Sequence, residues 1–217
     1  DVCSSDLFYV YDPLCGWCYG FHPVMEKIAG RFEGKLEIEV IPGGLAAGEN
    51  AEPIGEGYGY IKDAIGQVED ATGIEFGNPF RKIAEEGTMI YDSEPPSRMQ
   101  NVMNRLAPDL ALSFAGALQN ALFSDGKNLN NWSTFSQLLE SYPVSKSQAE
   151  ALYTSDELKK ETLDRFKWSK DQGATAFPTL LLKIGDQTGI MSRGYRPYDT
   201  LESHLHHLLR NIEAMSG

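Results

Sequence analysis

The sequence predicts an α/β fold in which a strand–helix–strand unit and a later strand–strand–helix unit are held apart by a long helical insert. Three observations carry this. From Phe8 to Ile41 the pattern runs strand, helix, strand. From about Asn50 to Gly173 only helical periodicity and helix punctuation are found. From Ala174 onward two short apolar runs precede one amphipathic helix. A helical block of this size between two halves of an α/β motif reads as an inserted domain, not a loop. The expected division is 8–48 and 173–217 for the α/β domain, with 49–172 as the insert.

Taken in order, Phe8 to Tyr11 are aromatic or β-branched and read as a buried strand, which Asp12-Pro13 breaks. Phe21, Val24, Met25, Ile28 and Phe32 then recur at helical spacing. Gly34-Lys35 opens a second strand, Leu36 to Ile41, ended by Pro42-Gly43-Gly44. Its half-clean alternation suits burial on both faces. A βαβ unit of this length predicts parallel strands with a right-handed crossover.

In the insert, Ile54 to Thr72 reads as one helix with Gly73 beyond its end, and Pro79 to Glu86 as a short helix closed by Gly87. Asp92-Ser-Glu-Pro-Pro-Ser begins a third, its prolines where a missing N–H costs nothing, with Met99, Val102, Met103 and Leu106 on one face. Asp109 to Phe123 is strongly apolar, and Trp132 to Leu139 is amphipathic. Ser145-x-x-Gln148 and Thr154-x-x-Glu157 read as capping boxes. The second starts a helix to Gln172 that carries a Glu161–Arg165 pair. Leu180 to Ile184 and Gly189 to Ser192 flank a Gly185-Asp186 turn and predict an antiparallel hairpin. The last helix starts near Pro197, with Leu201, Leu205, Leu208, Leu209 and Ile212 as its core stripe.

Cys15 and Cys18 fall where the first strand gives way to the first helix. The free N–H groups and positive end of a helix dipole favour a thiolate there. A spacing of three puts both sulfurs on one side of the first turn, close enough to form a disulfide. Strand, C-x-x-C, helix is the pattern of a redox site. A structural zinc site needs about four ligands, whereas Cys15, Cys18 and at most His22 lie near one another. A purely structural disulfide would close too small a loop to stabilise much. For His22, a satisfied structural histidine outweighs a role in tuning the pair. His204, His206 and His207 look like a metal tract, but a solvated helix face fits them better. The glycines between 43 and 59 lack the Lys-Ser/Thr ending of a phosphate loop.

At 217 residues, 41% hydrophobic and 23% charged, the composition is that of an ordinary globular chain. No apolar run approaches a membrane span. A net charge of −12 argues against nucleic-acid partners and against docking on anionic lipid. Asp1-Val-Cys-Ser-Ser-Asp-Leu7 resembles the conceptual translation of a sequencing-library adapter, so residues 1–7 are expected to be non-native and are set aside, Cys3 with them. A leader could have been lost at the same point.

Tyr11-Asp-Pro-Leu-Cys-Gly-Trp-Cys-Tyr-Gly20, the Pro42-Gly-Gly-Leu45 turn, Asp92-Ser-Glu-Pro-Pro96 and Gly173-x-x-x-Phe-Pro-Thr179 together resemble the DsbA-like branch of the thioredoxin superfamily. The nearest likeness is to its FrnE-like members, provisionally assigned as protein disulfide isomerases. The resemblance implies a thioredoxin fold interrupted by an α-helical insertion domain, with Phe177-Pro178 as a cis peptide facing the cysteines. It also implies Cys15 as the attacking thiol and Cys18 as the resolving one. The family's strong periplasmic oxidant carries Pro-His between its cysteines, whereas this chain carries Gly16-Trp17, so that oxidising power is not carried over.

The expected function is therefore thiol–disulfide exchange on protein or peptide disulfides, with Cys15, Cys18, Pro178 and Asp12 as catalytic candidates. Asp12 reads equally as a proton carrier for Cys18 or as a turn-former. Trp17, Phe177 and Tyr19 are candidates for an apolar rim that holds substrate. No cofactor or metal is expected beyond the redox-active disulfide, with glutathione as a candidate reductant. Two rivals are a glutathione-dependent transferase or isomerase of the kappa-like type, which usually places Ser where Cys15 stands, and a non-enzymatic client-binding module. A cytoplasmic location is expected because the first strand starts close to the terminus, as in relatives lacking a signal. A periplasmic one stays open.

Overall fold

A computed structural model describes residues 5–185 and 187–216. Cys3 lies outside the described residues. Its first strand, β1, spans Ser5–Tyr11 and runs parallel to β2, Leu36–Pro42, across helix α1, Gly16–Arg31. Ser5, Asp6 and Leu7 extend β1 beyond the Phe8 start read from the sequence. They pair with Leu36, Glu37 and Ile38 on one side and with Ile184, Lys183 and Leu182 on the other.

β1 has a hydrogen-bonded neighbour on each side and packed helices on each face, which accounts for its unbroken apolar run. Leu7, Tyr9 and Tyr11 face α1 in one cluster with Phe21, Met25, Ile28, Leu201 and Leu205. Phe8 and Val10 face the opposite way, where the Phe8 ring meets Trp168 edge-on at 5.4 Å.

The insert begins with a two-residue strand β3, Glu52–Pro53, which pairs with β4, Ile90–Tyr91. Its helices are α2 Tyr58–Thr72, α3 Asn78–Glu86, α4 Glu94–Leu106, α5 Ala111–Phe123, α6 Trp132–Leu138, α7 Lys146–Tyr153 and α8 Asp156–Asp171. Two details depart from the sequence reading. Ile54–Gly57 is a separate 3₁₀ turn rather than the start of α2, since Gly55 and Gly57 weaken a continuous helix. The cap of α8 is Ser155, whose hydroxyl accepts from the Leu158 amide at 3.2 Å. Thr154 instead closes α7 by donating to the Glu150 carbonyl at 2.8 Å. The β3–β4 bridge, a pair of dipeptides, was also absent from the sequence reading, because two residues carry no periodicity.

After the insert, β5 Thr179–Ile184 pairs antiparallel with β1, and β6 Gln187–Arg193 pairs antiparallel with β5. The sheet order is β2-β1-β5-β6. Helix α9, Tyr198–Ser216, packs Leu201 and Leu205 into the core beside α1. Leu208 and Leu209 are half-buried there, and the Ile212 side chain lies outside the described residues. The insert has its own core around Phe76, Phe80, Phe114, Phe123 and Phe135, and Trp17 packs against this core and the α1 core alike.

Candidate active site

Asp12-Pro13 ends β1, and the chain makes one tight turn in which the Cys15 amide donates to the Asp12 carbonyl at 3.1 Å. Cys15 is then the N-cap of α1. Its sulfur does what a Ser or Asp oxygen does at such a cap, accepting the Cys18 amide at 3.3 Å. Cys15 is 7% exposed and Cys18 fully buried, and both are free thiols. Burial pushes the Cys18 thiol up, with the Cys15 side chain adding to the rise and the Asp12 backbone amide opposing it.

The strand beside β1 supplies the other wall. The Phe177–Pro178 peptide is cis, and Pro178 is buried at the head of β5. The Phe177 carbonyl lies 3.6 Å from Cys15 Sγ, within reach of its thiol hydrogen. The β1–β5 pairing of Val10 with Thr179 puts these loops side by side. Gly43 makes the fit possible. A Cβ there would stand 2.0 Å from the Phe177 ring.

Asp12 is fully buried. Its Oδ1 accepts from the Leu14 amide and the Ser93 hydroxyl, both at 2.9 Å, and its Oδ2 from the Leu45 amide at 2.7 Å. One carboxylate thus ties the cysteine turn, the turn after β2 and the start of α4. Burial raises its carboxyl from 3.8 to about 6 against the pull of these donors.

Cys15 opens onto an apolar pocket of about 400 Å³. Trp17 and Phe177, both half-buried, line it, and the rest comes largely from the insert: Tyr60, Ile61, Ala64, Ile65, Val68, Phe76 and Phe80. Tyr91 lines the same wall, and its hydroxyl donates to the Leu14 carbonyl at 2.5 Å. Tyr19 is not in the rim. It is 5% exposed and sits between Phe76 and Phe123 in the insert core, with ring centres 5.3 and 5.1 Å away. One helical turn past Cys15 carries that side chain into the α1–insert contact. His22 lines a separate groove with Glu26, Ser113 and Tyr142. Burial lowers its ring below the ordinary value, with Glu26 opposing.

Sequence reasoning missed the α2 wall, Tyr91 and Ser93. Ser93 lay inside a quoted motif, but nothing in its spacing pointed to Asp12. Among the described residues there is no group of three His, Cys, Asp or Glu side chains arranged to hold a metal ion, and no helix is long and apolar enough to cross a membrane.

Residues 7–206 match the family model of the DsbA-like thioredoxin domain. The chain belongs to that family. A provisionally assigned protein disulfide isomerase from Nitrosomonas europaea superposes with a TM-score of 0.85 at 26% identity, over 96% of this chain and 98% of that one. The cytosolic disulfide reductase DsbM of Pseudomonas aeruginosa gives 0.80 at 24% identity, over 94% and 98%. Its complex with glutathione gives 0.77, also at 24% identity, over 94% and 99%. A GMP synthase of Phenylobacterium zucineum is 28% identical over 100 residues, 41% of this chain, and the match spans 19% of that enzyme's length. The fold is thus that of a DsbA-like thioredoxin protein, and the chain is an oxidoreductase.

Proposed function

We propose that the protein exchanges disulfides with protein or peptide substrates through Cys15-Gly16-Trp17-Cys18. The observation that carries this is the placement of Cys15 Sγ. It caps α1, accepts the Cys18 amide, lies against the Phe177 carbonyl and borders the apolar pocket. In the reductive direction Cys15 attacks a substrate disulfide and forms a mixed disulfide, which Cys18 then resolves; the reverse sequence oxidises a dithiol. A substrate segment on either side of its cysteine would lay apolar side chains against Trp17, Phe177 and Tyr60.

The pocket lining contains no Asp, Glu, Lys or Arg, so the two carboxylates and the ammonium of glutathione meet no opposite charge there. This favours a protein or peptide substrate, with glutathione at most the thiol that returns the pair to its reduced form. The proposed compartment is the cytoplasm. Catalysed reduction of insulin by dithiothreitol tests the reading. Activity in the wild type and its loss in Cys15→Ser are expected, and equal activity in both overturns it.

A further inference from the structure

Tyr9 and Tyr11 leave β1 on the same face, and both side chains are fully buried in the cluster that holds Cys15 and Cys18. Their rings stack with centres 5.4 Å apart. Their hydroxyls are not equivalent. Tyr11 Oη donates to Gln100 Oε1 at 2.9 Å, and the Gln100 amide is fixed in turn by Asn104 and the Ala111 carbonyl. Tyr9 Oη is equally cut off from solvent and has no hydrogen-bond partner among the described residues.

An unpartnered buried hydroxyl is destabilising, and phenylalanine would fill the same space without that cost. Cys15 and Cys18 share its buried cluster, and after burial itself the Cys18 side chain does most to keep this hydroxyl protonated. Asp12 cannot serve Cys18 as a donor while ionised, and its oxygens are already taken by Leu14, Ser93 and Leu45.

We propose that Tyr9 is the donor that stabilises the Cys18 thiolate as it forms during resolution of the mixed disulfide. This rests on the reading that Cys18 is the resolving thiol. A neutral thiol is a weak acceptor and a thiolate a strong one, so the contact with Cys18, too loose for an ordinary hydrogen bond in the reduced protein, tightens when Cys18 gives up its proton. Cys18 sulfur then attacks Cys15 sulfur, the Cys15–substrate S–S bond breaks, and the Cys15–Cys18 bond forms. The electron pair leaves on the substrate thiolate, which takes up the proton that Cys18 released. Tyr9 keeps its own proton throughout, in line with the rise that burial imposes on it.

Ellman's reagent separates the two steps. With Cys3→Ser as the common background, reduced protein releases one thionitrobenzoate as Cys15 attacks and a second as Cys18 resolves. In Tyr9→Phe the first phase is expected to be unchanged, the second slowed about tenfold or more, and the pH midpoint of the second moved upward. Thermal stability should equal or exceed the wild type, because no formed hydrogen bond is lost. Tyr11→Phe, which breaks the Gln100 bond, should lower stability without moving that midpoint. A second phase and midpoint in Tyr9→Phe that superimpose on the wild type overturn the proposal, as does equal slowing of both phases. A variant that melts well below the wild type contradicts the orphan hydroxyl itself. A wild type that releases only one thionitrobenzoate overturns the exchange assignment, and this proposal with it.

Discussion

Asp12 has no exposed surface, and three donors converge on its carboxylate. Its folded value of about 6 stands above the ordinary 3.8. Between those two values the folded chain binds more protons than the unfolded one, so stability falls as pH rises through that window. The rise is worth about 3 kcal/mol. Denaturant titrations of wild type and Asp12→Asn at about pH 4 and about pH 7.5 should show the wild type losing about that much relative to the variant. Parallel behaviour at the two pH values would falsify the buried, ionising carboxylate. The cysteine pair was legible in the sequence because a strand, two thiols at a spacing of three and a helical stripe are all local signals. The state of the thiols and of Asp12 was not. Two of the three donors that clamp Asp12 come from Leu45 and Ser93, 33 and 81 residues away from it.

Among the elements, two glycines mark where backbone or ring approaches most closely. A Cβ on Gly77, ahead of α3, would stand 1.9 Å from the Ser124 carbonyl oxygen at the end of α5. Backbone cannot rotate aside, so Gly77→Ala should cost about 3 kcal/mol, read as a lowered denaturation midpoint with unchanged slope. Unaltered stability would mean that α3 and α5 do not meet as described. The three atoms that Gly43→Ala would meet first belong to the Phe177 ring, which can swing away. A small stability loss with a severalfold fall in insulin reduction is expected there, and unchanged turnover would separate Phe177 from the substrate path. Helix ends marked by glycine were legible: Gly73 and Gly87 both take the left-handed conformation past α2 and α3. The Thr154 reading failed by one residue because Thr154 and Ser155 both suit a cap, and only the end of α7 decides which is free to serve α8.

Over the whole molecule, α1 lies between two cores, and the pocket beside Cys15 is walled by both. The succession of strands and the long helical stretch were legible from periodicity together with turn and helix-end residues. The pocket was not, since α2 reaches Cys15 only through packing, and nothing in the run Tyr58-Gly-Tyr-Ile-Lys marks Tyr60 as its rim. Tyr60 is 77% exposed and lines the pocket beside Cys15. Tyr60→Ser should raise KM for a peptide disulfide with apolar flanks severalfold while leaving the first phase with Ellman's reagent unchanged. Equal KM values would remove α2 from the binding surface. With Gly16-Trp17 between the cysteines, a reduction potential between about −270 and −120 mV is expected from glutathione equilibration, and a value outside that interval would contradict the intermediate poise.

The central claim is that Cys15 attacks and Cys18 resolves. Its most direct test is incubation of Cys18→Ser and Cys15→Ser with a disulfide-bonded unfolded protein, followed by non-reducing electrophoresis. A covalent complex with Cys18→Ser that dithiothreitol dissolves, and none with Cys15→Ser, is the predicted result. Complexes of equal yield in both variants, or in neither, would contradict it.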